Sequence, residues 1–152
     1  MRITVIAVGR LRSGPEQALA DHYRRRINWP VEIREVEERR KLPPAELKRR
    51  EAALIEAAIP DRAVLVALDE RGKDLSSRDF AARLGRWRDD GVADLAFAIG
   101  GADGLDDAIR SRAALTLSLG SMTWPHFMVR GMLFEQLYRA QQILAGHPYH
   151  RD

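Results

Sequence analysis

Apolar residues along this chain switch between a two-residue and a helical period at regular intervals, which divides it into alternating strands and helices. Arg2–Val8 (RITVIAV) is rich in β-branched residues and stops at Gly9, as a strand does. Ser13-Gly14-Pro15-Glu16 then signals a helix start, with Ser13 a candidate cap and Pro15 where a missing N–H is harmless. That helix is expected to reach about Arg26, before Pro30. Val31–Val36 alternates like a half-exposed edge strand. Pro43-Pro44 opens a second helix to about Ile59, with Leu47, Leu54, Ile55 and Ala58 on its apolar stripe, and Pro60 closes it.

Ala63–Leu68 (AVLVAL) is apolar throughout, the pattern of a strand buried in a parallel sheet. Ser76-Ser77 begin a helix that carries Phe80, Leu84 and Trp87 and ends near Gly91. A strand is expected over Asp94–Ile99, a short helix over Asp103–Arg112, a strand over Ala114–Leu119 and a long closing helix from His126 to about Ala145. The alternation predicts one α/β domain over residues 1–152, with a mostly parallel sheet flanked by helices on both faces. At 152 residues such a domain buries roughly 68–70% of its unfolded surface, enough for a core without staples.

Ligands of parallel sheets gather at the carboxyl ends of the strands. Three loops there are distinctive: Leu68–Lys73 (LDERGK), Ile99–Gly104 (IGGADG) and Leu119–Pro125 (LGSMTWP). Paired glycines after a buried strand imply that a Cβ would strike a ligand or a neighbouring backbone; a tight turn is the plainer alternative. The loop after the first strand, AVGRLR, lacks the G-x-G-x-x-G fingerprint, and no G-x-x-x-x-G-K-[ST] occurs, which disfavours nicotinamide and common NTPase chemistry. The four histidines, His22, His126, His147 and His150, have no convincing ligand spacing, so no metal is expected.

Composition adds compartment and partner. The absence of cysteine suits a reducing compartment, and no apolar run approaches the roughly 20 residues of a bilayer span, so a cytoplasmic protein without membrane contact is expected. The net charge of +3 is unevenly spread: residues 1–51 hold 13 Lys/Arg against 8 Asp/Glu. Arg24–Arg26, Arg39–Lys41 and Lys48–Arg50 read equally well as solvated helix faces or as a surface that follows phosphates.

Taken together, MRITVIAVGR, LDERGK, IGGADG, SLGSMTWPH, LYRA within FEQLYRAQQI and the terminal HPYHR resemble, in order and over the whole chain, the ribosomal RNA large-subunit methyltransferase H family of the SPOUT class. The resemblance implies a homodimer with the C-terminal segment threaded into a deep trefoil knot. Knots are so rare among folds that no periodicity would reveal one. It also implies methyl transfer from S-adenosylmethionine to N3 of a pseudouridine in 23S ribosomal RNA, with the ribosome as the setting. Carried over by position, the cofactor residues are Leu68, Gly101, Gly120, Ser121, Met122, Thr123, Trp124 and Pro125. The chain departs from relatives at Ala102-Asp103, where Pro-Glu is commoner, and at Gly120-Ser121.

Such a transfer requires an imide N–H to lose its proton, so a base and a positive charge over the developing anion are sought. His126, His147 and His150 are candidate bases, Arg130 and Arg151 candidate anion stabilisers or phosphate ligands, and Tyr149 a residue to stack on or hydrogen-bond a base. The catalytic set is read as His126, Arg130, Tyr149, His150 and Arg151. Plainer roles stand beside these: His126 as a cap of the last helix, Glu135 and Arg139 as an i,i+4 surface ion pair, Leu68, Met122 and Trp124 as core. The alternative function is a non-catalytic RNA-binding α/β protein. A small-molecule enzyme with a nucleotide cofactor lacks the fingerprint and has no use for the arginine clusters.

Overall fold

Strand and helix periods in the sequence resolve, in the computed structural model, into β1 (Arg2–Val8), α1 (Pro15–Arg24), β2 (Val31–Val36), α2 (Pro44–Ala58), β3 (Val64–Asp74), α3 (Ser77–Asp89), β4 (Asp94–Ile99), α4 (Asp107–Arg112), β5 (Leu115–Ser118) and α5 (His126–Leu144). Residues 1–151 are described. The strands make one parallel sheet in the order β2-β1-β4-β3-β5. Helices cover both faces, as all-parallel sheets require.

Alternate side chains sort to opposite faces. Ile3, Val5, Ala7, Val66, Leu68, Leu95, Phe97 and Ile99 pack on one face with Ala20 of α1, Phe80 and Leu84 of α3, and Leu133, Phe134 and Leu137 of α5. Ile6, Val8, Leu65, Ala67, Ala96 and Ala98 meet Ala52 and Ile55 of α2 and Ile109 of α4 on the other. The alanines on this second face let α2 and α4 lie close to the sheet. β2 is the half-exposed edge anticipated from its alternation.

Three boundaries differ from the sequence reading. α1 stops at Arg24 rather than Arg26. α4 starts at Asp107, where the Asp106 side chain accepts the Ala108 N–H at 2.9 Å. Residues 101–104 are instead a turn, in which the Gly104 N–H reaches the Gly101 carbonyl at 3.0 Å and Gly104 takes φ +82°. The largest difference is in β3, which continues through the charged Asp69–Asp74 instead of ending at Leu68.

This continuation changes the topology around β5. Leu117 pairs with Leu68 and again with Lys73, both in parallel register, so the register shifts across residues 69–72. A Cβ on Gly72 would lie 2.5 Å from the Thr116 carbonyl oxygen, so this close approach is possible only without a side chain there. A strand that registers twice with one neighbour is consistent with the expected knot. Replacing Gly72 by alanine should therefore lower stability by about 1–3 kcal/mol, the range for overpacking a filled site, as a reduced urea midpoint with unchanged m.

Candidate active site

The carboxyl ends of β3, β4 and β5 deliver the three distinctive loops to one place, where they enclose a cavity of about 250 Å³. Leu68, Ile99, Leu117, Leu119 and Val129 give it an apolar floor, with Gly100–Gly104 on one side and Gly120, Met122, Thr123 and Trp124 on the other. His126, the first residue of α5, closes the remaining side. Of the eight residues carried over for a cofactor, Leu68, Gly101, Gly120, Met122, Thr123 and Trp124 line this cavity. Ser121 and Pro125 do not; Pro125 caps α5 instead.

Hydrogen bonds fix the loops. The Thr123 hydroxyl donates to Glu70 at 3.0 Å and the Trp124 indole N–H to the Leu119 carbonyl at 3.2 Å, which ties the third loop to the first and to itself. The Ser118 hydroxyl accepts the Gly120 N–H at 3.1 Å and donates to the Gly120 carbonyl at 2.8 Å, holding Gly120 at φ +111°. Met122 is 72% exposed, leaving an apolar lip on the cavity.

The paired glycines serve different neighbours. A Cβ on Gly100 would come 2.8 Å from the Gly104 carbonyl carbon, so the loop closes on its own backbone. A Cβ on Gly101 would meet Glu51 and Val8, each at 3.0 Å, behind the loop rather than in the cavity. Glu51 of α2 is only 7% exposed, and burial, then Asp103, push its pKa up. Sequence reasoning passed over this carboxyl, because on a helix as charged as α2 it reads as surface.

Arg130, expected to face an anion, is 2% exposed. It donates to Glu35 and to the Gly9 carbonyl, each at 2.7 Å, and its guanidinium lies 5.5 Å from the Phe127 ring centre. Glu35 also accepts the Leu11 N–H at 2.6 Å. Arg130 thus clamps the loop after β1 and the end of β2 to the first turns of α5. His126 sits one turn before it, and burial, with the Arg130 charge, pushes the imidazole pKa down. The ring is therefore neutral at neutral pH and able to accept a proton.

The tail residues gather elsewhere. The Tyr149 hydroxyl donates to Glu135 at 3.1 Å, its ring meets Tyr138 edge-on at 4.8 Å, and Arg139 lies 4.8 Å over it. Arg139 also contacts His150 Nδ1 at 3.1 Å. Burial and then Glu135 push the Tyr149 pKa up to about 12, so its hydroxyl stays protonated. Arg151 is exposed. None of Tyr149, His150 and Arg151 lines the cavity of its own chain. Glu135 and Arg139 do form the i,i+4 ion pair read from their spacing, and in addition they seat the tail.

Part of the basic surface is neutralised locally: Arg40 and Arg50 pair with Glu38 at 3.0 and 3.4 Å, and Arg39 with Glu37 at 3.9 Å. Among the described residues no three His, Asp or Glu side chains come together as metal ligands, and no helix is long and apolar enough to cross a membrane.

Residues 1–150 match a family model described as a predicted SPOUT methyltransferase. A ribosomal RNA large subunit methyltransferase H of Rhodospirillum centenum is 60% identical over 151 residues, 99% of either chain. The chain belongs to this methyltransferase H family. A second family member, from Paramagnetospirillum magneticum, is 56% identical over 151 residues with the same 99% coverage of both chains. Outside the curated relatives, a probable methylase family protein from Haemophilus influenzae shares the fold, with a TM-score of 0.60 at 11% identity over 99% of this chain and 70% of that one.

For this family member the Arg130 clamp makes stability depend on pH. Burial acts to raise the Glu35 pKa, but the Arg130 hydrogen bond and charge and the Leu11 N–H outweigh it and hold the carboxyl below its ordinary value. A carboxylate depressed on folding stabilises the native state above its unfolded pKa, and that contribution is lost as pH falls through the folded value. The urea midpoint should drop as pH falls below about 4.5, the ordinary value for this group. In Glu35→Gln the midpoint should be lower at neutral pH and the acid-side drop shallower.

Proposed function

We propose that this protein is an enzyme that transfers a methyl group from S-adenosylmethionine to N3 of a pseudouridine in 23S ribosomal RNA. On this reading it acts in the cytoplasm as a knotted homodimer, on ribosomal particles. The observation that carries the proposal is the convergence of three glycine-bearing strand-end loops on one cavity with a neutral imidazole at its side. The names of the relatives, ribosomal RNA large subunit methyltransferase H, support the class of substrate.

The residues present suit the donor. Leu68, Ile99, Leu117 and Trp124 offer apolar walls for an adenine, the open backbone at Gly101–Gly104 and Gly120 offers hydrogen bonds, and Asp103 on the rim offers a negative charge for a cationic ligand. When bound, S-adenosylmethionine supplies an already activated methyl, so the protein's task is alignment and removal of one proton. His126 is suited to take the N3 proton, since its neutral ring has a vacant lone pair in the working pH range. Met122 and Trp124 supply an apolar lip against which a flipped base can rest.

Arg130 has no exposed group to offer the substrate, so its part here is to position His126. The positive charge over the developing anion is assigned to Arg151, with Tyr149 and His150 beside the base. Because these three lie off the cavity of their own chain, the proposal assigns them to the cavity of a second copy. Leu19 and Met128, large apolar side chains left exposed on α1 and α5, support a partner seated on this helical face. The repeated pairing of Leu117 with β3 fits the knotted path.

Three measurements test the proposal. Mass spectrometry of ribosomal RNA from cells with and without the protein should show one methylated pseudouridine lost on deletion; an unchanged pattern refutes the activity. Gly101→Val, which drives a side chain against Glu51 and Val8 and displaces the loop, should weaken S-adenosylmethionine binding at least about tenfold by calorimetry (about 1.4 kcal/mol); normal affinity removes this loop from the donor site. Deleting residues 147–152 should leave a folded chain with little turnover. Mixing it with Gly101→Val chains should restore activity if the tail serves the partner, and no recovery would confine each site to one chain.

A further inference from the structure

A second concave surface adjoins the first. Arg71, Gly72, Lys73 and Arg83 line a groove together with Ala113–Thr116, at the start of β5, and Arg71 lines the active-site cavity as well. The two hollows therefore share one guanidinium. The groove's floor is backbone: the missing Cβ of Gly72 lets residues 71–73 lie directly on Thr116.

The charges around it are sorted and rigidly based. Along the continuation of β3, Arg71 and Lys73 alternate with Glu70 and Asp74; Glu70 turns to Thr123, and Asp74 lines a separate hollow against α5. Asp69, its carboxylate buried at the root of the continuation, pairs with Arg71 at 3.0 Å and Arg110 at 3.1 Å, and Arg110 pairs with Asp107 as well, so Arg71 is anchored at the groove's end. Lys73 and Arg83 have no carboxylate within ion-pairing distance among the described residues. The Arg83 Nε is buried without a hydrogen-bond acceptor, while its guanidinium rests 5.8 Å from the Trp87 ring centre. Arg83 is half-buried and lines the groove, so its charge is held at the groove's wall.

We propose that this groove binds backbone phosphates of the substrate RNA, next to the nucleotide that enters the cavity, with Lys73 and Arg83 as the phosphate ligands and Arg71 as the link between groove and cavity. The inference rests on the RNA-methyltransferase reading and adds to it a place and a direction for the strand. Phosphate suits the groove because Arg71, Lys73 and Arg83 line it with no carboxylate among the lining residues, and Arg71 reaches into the cavity as well. Contacts of this kind fix register without reading sequence.

The test is the salt dependence of binding to a fluorescently labelled ribosomal RNA hairpin, for the wild-type protein, Lys73→Gln, Arg83→Gln and the double variant. Each lost phosphate contact should flatten the slope of log K against log salt by about 0.7–0.9. The double variant should show both losses and bind at least about tenfold more weakly at low salt, with S-adenosylmethionine affinity and urea midpoint unchanged. An unchanged slope in the double variant overturns the proposal while leaving the cavity's function intact. Failure of the wild-type protein to bind the hairpin or intact ribosomes would sink the RNA reading and this inference with it. Calorimetry with inorganic phosphate alone separates the sources: heat that disappears in Arg83→Gln, without any change in RNA slope, would make this a free-anion site and refute the assignment to RNA.

Discussion

The molecule depends on β5 registering with two separate stretches of the same neighbour. Leu117 pairs with both Leu68 and Lys73, so the register shifts across residues 69–72, and a Cβ at position 72 would strike Thr116. Without the second stretch, β5 would be held by residues 66–68 alone. With it, the loops after β3 and β5 are held side by side, and the Thr123–Glu70 hydrogen bond closes the distance between them. The cavity and the neighbouring cationic groove both follow from this one piece of backbone.

A second constraint acts from the opposite side of the site. Arg130 is buried, yet its charge is met by Glu35 and by the Gly9 carbonyl, so α5 begins where β1 and β2 end. Replacing one partner of such a pair strands the other in a poorly hydrated place. The clamp thereby couples the sheet's far edge to the imidazole of His126, and the same positive charge contributes to keeping that ring neutral. Burial is the main reason that the His126 pKa lies low, and the ion pair that secures the fold adds to it.

Most strands and helices were legible in the sequence because the period of apolar residues changes cleanly at Gly9, Pro30, Pro60 and Gly91, and because the apolar runs of β1, β3 and β4 suit a sheet covered on both faces. The gathering of the strand-end loops followed from parallel topology alone. What escaped were features whose cause lies far away in the chain. The continuation of β3 is charged and carries no strand pattern, and its reason is Thr116. Asp103 looks like a helix start until Gly104 is seen to turn back on Gly101. Arg130 reads as a reachable cation, since its partner Glu35 is 95 residues distant. The position of the tail on Glu135, Arg139 and Tyr138, away from the cavity of its own chain, has no local signature at all.

The seam between β1 and β4 has a further consequence, for the order in which the protein is made. Arg2 bonds bidentately to Asp94, at 2.8 and 2.7 Å, and the whole of β1 up to Ala7 pairs with β4. The first strand to leave the ribosome therefore waits until residue 94 and its neighbours have emerged before its inner edge is satisfied. Until then β1 has only β2 beside it and presents its other edge of unpaired backbone groups, with its apolar side chains, to solvent. Pairings this remote are slow to close, so the nascent chain spends most of its synthesis in a state that chaperones are built to shield.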